Sequence, residues 1–319
     1  MKQERLIEQR LRNVLHSAMI VAGMLALLGA LGWFLGGWGG VFLLAVVGTM
    51  ILAAGLRATP AMVLRLYGAQ PLRPADAPIL FRLAAELALR AQLPGTPRLY
   101  HVPSAMVNAF SVGSPEDAAI TVTDGLLHKL NQREMLNVLA HEVAHIRHND
   151  LRVMSLADFV SRMTFSLSWF GQLLLLINLP LIATSAYSIP WLLIWLLILA
   201  PALASLMQLA LSRSREFDAD LGAVSLTGDP RGLASALRKI EAIQAGLVER
   251  ILLPGRRIPE PSLLRTHPNL EERLRRLAAM EEEATDRRPP HPEHPLDLHH
   301  ASHKTDHPLP RWRATGLWH

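Results

Sequence analysis

Two histidines four residues apart enclose a glutamate in His141-Glu142-Val143-Ala144-His145. On a helix, side chains at i and i+4 project from one face about one turn apart, so both imidazoles can reach one metal ion. Glu142 stands beside them, where its carboxylate can take a proton from water held there. Val143 and Ala144 are uncharged, as a partly buried site requires. The plain alternative is a surface helix with two idle histidines. A catalytic zinc needs a third protein ligand and an open position. The candidate is Glu216 in Ser212-Arg213-Ser214-Arg215-Glu216-Phe217-Asp218-Ala219-Asp220, the first acidic residue after a long uncharged run. Asp220, one turn further on the same face, can hydrogen-bond a ligand histidine. The competing readings are a solvated Glu216 paired with Arg213 or Arg215, and Asp220 as an ordinary surface acid.

These residues need a helix to carry them, and the local signals supply one. Asn131 reads as an N-cap with Glu134 as its capping-box partner. Met135, Val138 and Leu139 then give an apolar stripe, so a helix over 132–147 is expected. His148 falls at its exposed end and is not expected to be a ligand. Upstream, the spacing of Leu80, Leu83, Ala84, Leu87 and Ala91 predicts a helix over 79–92, ended by Pro94-Gly95-Thr96-Pro97. Strands are expected at 98–102, 108–112 and 119–123, the last rich in β-branched residues. Thr123 or Asp124 would cap a short helix reaching Leu130, and a further helix is expected over 270–280.

The wider composition says where such a domain sits. The chain has no cysteine, which excludes thiolate nucleophiles, Cys-zinc sites and iron–sulfur clusters. With 50% hydrophobic and 18% charged residues it is not a disordered chain. A mean hydropathy of +0.22 together with a pI near 10.0 means that apolar and basic residues are segregated. The apolar ones lie in four uncharged runs, 18–35, 40–56, 165–186 and 190–211. Each has about the 17–25 residues that a bilayer-spanning helix needs. A membrane hairpin fits the first pair better than a secretory signal peptide, because a second run follows within a few residues. Gly32, Gly36 and Gly40 suit a tight turn between the two spans better than a helix-packing motif, since Gly37 and Gly39 are interleaved. Asn178, Pro180, Pro190 and Pro201 could kink the second pair.

Basic residues flank these runs on one side only: Lys2, Arg5, Arg10 and Arg12, then Arg57, Arg65 and Arg73, then Arg213 and Arg215. The positive-inside rule therefore places the N-terminus, residues 57–164 and residues 212–319 in the cytoplasm. Two spans separate His145 from Glu216, an even number, so the chain returns to the side on which both could share a metal. The basic pI reads as topology and attraction to anionic lipid. Nothing interleaves basic and aromatic residues as a nucleic-acid surface would, and no nucleic-acid partner is expected.

The chain resembles the HtpX-type membrane metalloproteases, gluzincins related to the CAAX prenyl protease, over roughly residues 1–280. The resemblance rests on the membrane hairpin before the catalytic helix, on His-Glu-Val-Ala-His and on the two spans that follow. It also rests on Ser-Arg-Ser-Arg-Glu-Phe-Asp-Ala-Asp, on Asn108-Ala109-Phe110 with Thr123-Asp124-Gly125-Leu126-Leu127, and on Thr266-His267-Pro268. It implies an ATP-independent zinc endopeptidase of the cytoplasmic membrane, acting on damaged or misfolded membrane proteins or other unfolded polypeptides. By that resemblance His141, His145 and Glu216 bind one Zn2+ and Glu142 is the general base. Asn108, Ala109 and Phe110 begin an edge strand that pairs with an extended substrate. His267 and Arg273 resemble a pair beside the active site that stabilises the oxyanion. The sequence departs from the family at Asn269, where a second proline is common.

The expected architecture is an α-helical integral membrane protein with four spans and a mainly α, zincin-like cytoplasmic domain containing a small β-sheet. Its segments are a basic N-terminus (1–17), a membrane hairpin (18–56), the first part of the protease domain (57–164), a second hairpin (165–211), the second part of that domain (212–283) and a tail (284–319). The tail holds seven of the fourteen histidines. It is either an unconstrained extension, with Trp312 and Trp318 touching the membrane, or a zinc reservoir. A single-substrate processing peptidase, a catalytically idle adaptor and a metal transporter are the rival functions. No predicted span carries a charge or a histidine, which argues against transport.

Overall fold

Two helical hairpins carry the four apolar runs. Helix α1 (Lys2–Leu56) leaves helical geometry only at Gly36 and Gly37, the latter at φ +58°, where glycine has no Cβ penalty. The chain reverses there. A Cβ on Gly40 would stand 2.1 Å from the Gly32 carbonyl oxygen, whereas residues eight apart lie about 12 Å apart along an unbroken helix. Gly36 and Gly37 thus make the turn, and Gly32 and Gly40 let its two arms touch. The glycine spacing serves both purposes between which the sequence reading chose.

The second hairpin is α6 (Asp150–Thr184) and α7 (Trp191–Thr227). They run antiparallel, with Gln172 Nε2 donating to the Leu197 carbonyl at 3.1 Å. Helix α7 continues through Pro201. The first arm of α1 packs antiparallel on α7, where Gly23 meets Met207. The seam of the bundle is Met24, Leu28, Leu31, Ala157, Val160, Leu197, Ala200 and Leu211, all buried. Its outside is equally apolar: Trp33, Trp38, Phe42, Phe165, Trp169, Phe170, Trp195 and Leu206 are exposed. So large an exposed apolar belt is unfavourable in water and suits hydrocarbon. Among the described residues, Asn13–Met50 and Leu192–Thr227 are long and apolar enough to cross a membrane. Both α6 and α7 run past the uncharged segments into the rest of the molecule without a break.

The computed structural model describes residues 2–56, 60–184, 191–251 and 270–285. His267, Asn269 and the whole of the histidine-rich tail lie outside these residues. The remaining described elements form one α+β unit: α2 (Pro60–Leu66), β1 (Gln70–Pro71), α3 (Pro78–Arg90), β2 (Arg98–Val102), β3 (Ala109–Ser114), β4 (Asp117–Thr123), α4 (Asp124–Lys129), α5 (Gln132–His148), α8 (Pro230–Ile251) and α9 (Leu270–Thr285). The sheet order is β1-β2-β4-β3, with β2 and β4 parallel and the other pairs antiparallel. Leu83, Leu87, Ile120, Val122, Leu126, Leu139, Val143, Ile146, Leu233 and Leu277 form its core. The three expected strands are present, as are helices α3, α5 and α9. Helix α4 is capped by the Thr123 hydroxyl, which accepts from the Leu126 amide at 3.3 Å. The sequence reading did not foresee α2, β1 or α8.

Candidate metal centre

Helix α5 starts on the expected capping box. The Asn131 side chain accepts from the Glu134 amide at 2.9 Å, and Glu134 Oε2 accepts from the Asn131 amide at 3.0 Å. Glu134 is buried and further held by Lys239 at 2.7 Å and by the Ser235 hydroxyl at 2.7 Å, both on α8. This end is therefore fixed in register. The other end stops at His148 because Asn149 takes the left-handed conformation, φ 56° and ψ 34°. His148 is half-buried with its ring near Gly222, not exposed at the helix end as the sequence suggested.

Helix α7 comes very close to α5. A Cβ on Gly222 would lie 2.6 Å from the Ala144 Cβ, so a larger residue here would force the two helices apart. This approach brings Glu216 to the histidines. His141 Nε2 and His145 Nε2 are 3.1 Å apart. Glu216 Oε2 is 3.5 Å from His141 Nε2, and Glu216 Oε1 is 3.7 Å from His145 Nε2. With zinc–ligand bonds of 2.0–2.1 Å, the donor atoms of a tetrahedral site lie about 3.3 Å apart. Two imidazole lone pairs at this separation repel each other unless a cation or a proton lies between them. The donor set and its spacing thus fit a zinc-sized ion, and these three residues are the cluster of metal-ligating groups found among the described residues.

The outward nitrogens of both rings face carboxylates. His141 Nδ1 lies 3.1 Å from Asp220 Oδ1, and His145 Nδ1 lies 2.8 Å from Asp150 Oδ2. An Nδ1–H donated to a carboxylate leaves Nε2 as the lone-pair donor. Arg273 on α9 is buried and spans the site: Nε and Nη2 donate to Asp220 at 2.7 and 2.6 Å, and Nη1 is 3.1 Å from Glu216 Oε2. The guanidinium is thus directed at the Glu216 and Asp220 carboxylates. Arg276, one turn on, lies over the Phe217 ring at 3.6 Å and fastens α9 to the same stretch of α7.

This much buried charge moves the titrations. Burial disfavours the imidazolium of His141, but Asp220 and Glu216 outweigh it and push the group up to about 10. His145 is also raised, because Asp150 and Glu216 overcome burial and the neighbouring His141 charge. Burial raises Asp220, yet Arg273 and His141 hold it below the usual carboxylate range. Arg273 is raised, since Asp220, Glu216 and Glu142 together exceed its desolvation.

Residues 74–281 match Peptidase family M48. The chain belongs to this family. M48 is a metallopeptidase family, so the protein is a metallopeptidase, and its exposed apolar helices make it a membrane one. Curated relatives called "Protease HtpX homolog" align over nearly their whole length. That of Methylibium petroleiphilum is 34% identical over 289 residues, 84% of this chain and 98% of the relative. That of Ralstonia pickettii is 35% identical over 291 residues, covering 84% and 96%. That of Burkholderia mallei is 35% identical over 286 residues, covering 84% and 97%. The crystal structure of S. mikatae Ste24p is similar with a TM-score of 0.46 and 18% identity, over 85% of this chain and 66% of that one. The M48 match spans His141, Glu142, His145, Glu216, Asp220 and Arg273.

Of the residues singled out from sequence, the structure brings together His141, His145, Glu216, Asp220 and Arg273. Glu142 is buried on the same helix and close enough to Arg273 to act on its charge. Strand β3, with Ala109 and Phe110, is an edge strand of the sheet among the described residues and packs beside α5. Asn108 lies just before it, its amide donating to the Thr123 hydroxyl at 3.0 Å. Asp150 and Arg215 were not foreseen as members of the site. Asp150 is five residues after His145, which is not a shared helical face. It reaches the ring only because Asn149 turns the chain back.

Proposed function

We propose that the protein is a membrane-bound zinc endopeptidase in which His141, His145 and Glu216 hold one Zn2+ and Glu142 is the general base. The observation that carries this is the convergence of His141 Nε2 and His145 Nε2, 3.1 Å apart, on the Glu216 carboxylate, with Oε2 3.5 Å from His141 and Oε1 3.7 Å from His145. A zinc ion bound there would lower the pKa of its water from about 15.7 to about 7 and polarise a peptide carbonyl. Glu142 takes the proton of the attacking water at its carboxylate and passes it to the leaving nitrogen. Asp220 and Arg273 hold His141 and Glu216 in orientation. The edge strand β3, entered at Asn108, Ala109 and Phe110, pairs with an extended substrate backbone and lays it along α5.

The distribution of basic residues supports four spans, with both termini and the site on the cytoplasmic side of the inner membrane. The substrates that fit this placement are unfolded polypeptides and damaged or misfolded membrane proteins, so the role is protein quality control. A sheet edge reads backbone more than side chains, which suits such a varied clientele.

The test uses the full chain purified in detergent and casein as an unfolded substrate. Cleavage is expected to stop on chelation and to return with one equivalent of zinc. Glu216→Ala is expected not to recover. Cleavage that persists after complete zinc removal would overturn the reading.

A further inference from the structure

His145 is supported by a second buried array that reaches the first membrane helix. Asp150, only 2% exposed, presents Oδ2 to His145 Nδ1 and Oδ1 to Arg215 Nη1 at 3.3 Å. A carboxylate this buried is costly unless paired, and Arg215 is its cationic partner. Arg215 is itself buried. Its Nη2 donates to the Ser17 hydroxyl at 2.8 Å, lies 3.4 Å from the Asn13 carbonyl oxygen, and pairs with Asp218 Oδ2 at 2.5 Å. The Asn13 side-chain amide closes the array on Asp218 Oδ1. Ser17 Oγ also lies 3.5 Å from Ser214 Oγ. Asn13 and Ser17 belong to α1, some two hundred residues away in sequence, and neither touches the metal-ligating atoms.

We propose that Asp150 and Arg215 are positioning residues for His145, and that Asn13 and Ser17 make the docking of α1 on α7 part of the metal site. If α1 leaves α7, Arg215 loses its fixed partners on that side. Asp150 then loses its fixed cation, and the His145 ring loses the hydrogen bond that sets its tautomer. The metal site is thereby coupled to correct assembly of the membrane bundle. An enzyme whose first helix has not docked holds its metal less tightly. This rests on His145 being a metal ligand, as proposed above.

The test measures zinc affinity of the full chain by competition with a chelator, together with the visible spectrum of the Co2+-loaded protein and the melting temperature of the metal-free protein. Asp150→Asn keeps the shape and removes the charge. It is expected to weaken zinc about 10- to 100-fold and to shift the cobalt bands. The double variant Asn13→Ala/Ser17→Ala is expected to weaken zinc by about two- to thirtyfold. Met207→Ala is the comparison: it loosens the same α1–α7 interface at Gly23 but leaves the array itself in place, and is expected to lower the melting temperature while weakening zinc clearly less than the double variant does. Wild-type affinity and cobalt bands in Asp150→Asn would overturn the proposal. So would an equal loss of zinc affinity in Met207→Ala and in the double variant. Tight zinc retention in His145→Ala would instead overturn the ligand assignment beneath it.

Discussion

The two histidines of the site are held by the same chemistry from opposite parts of the molecule. His141 faces Asp220, with Nδ1 3.1 Å from Oδ1, and Asp220 is held by Arg273 from helix α9. His145 leans on Asp150, and Asp150 on Arg215, which is fixed by the N-terminal helix α1. In both arms a histidine, an aspartate and an arginine stand in line. The difference is where the arginine is anchored: one arm closes within the α+β unit, and the other closes on the membrane bundle. A metal centre built this way responds to the state of both regions. A metal held by His141, His145 and Glu216, as proposed, needs both rings aimed, so failure of either arm would be felt there.

Removing each arginine is the strongest way to break this symmetry. Arg273→Ala leaves the buried Asp220 and the half-buried Glu216 without this guanidinium and is expected to cost about 3–5 kcal/mol of stability. Arg215→Ala is expected to cost less, because Asp218 keeps its bond from Asn13. Denaturant unfolding of the two variants measures the difference, and equal costs would remove the distinction between the arms. The next effect touches both arms alike. Gly222→Ala drives α7 away from α5 and is expected to cost about 1–3 kcal/mol. It should weaken zinc more than its loss of stability implies, since Glu216 moves with α7. Zinc competition and thermal unfolding measured side by side check this.

The smallest effect is protonic. In the metal-free protein His141 is raised from its ordinary 6.5 to about 10. Its contribution to stability is full below about 6.5 and is lost as pH rises towards 10. The chelated protein is therefore expected to melt at lower temperature at pH 10 than at pH 7. Zinc binding at pH 7 must also expel protons from the ligand histidines. Calorimetric titration in buffers of different ionisation enthalpy reads that release, and a buffer-independent heat would contradict it.

The contrast between the arms also marks what could be read from sequence. The clustering of His141, His145, Glu216 and Asp220 was legible because helical periodicity puts His141 and His145, and likewise Glu216 and Asp220, on one face. The capping box at Asn131 was legible because it is local. The Asp150 arm was not, because it depends on a left-handed Asn149 and on the packing of three helices far apart in the chain. The glycine hairpin was read correctly as a turn, yet the close approach of Gly32 and Gly40 emerges only when both arms are placed. Helices α6 and α7 pass unbroken from the apolar runs into the catalytic unit, so composition marked a boundary where the backbone has none. Arg273 was placed near the site by family resemblance, but its bonds to Asp220 and Glu216 give it a supporting part that resemblance did not suggest.

The measurement that bears most directly on the whole account is zinc content and peptide cleavage in Glu142→Gln. This change keeps the size of the side chain and leaves His141, His145 and Glu216 in place, while removing the group that accepts the proton. The account predicts one tightly held zinc per chain, as in the unaltered protein, with casein cleavage reduced by a factor of at least about 100. Cleavage at the unaltered rate, or loss of the zinc along with activity, would contradict it.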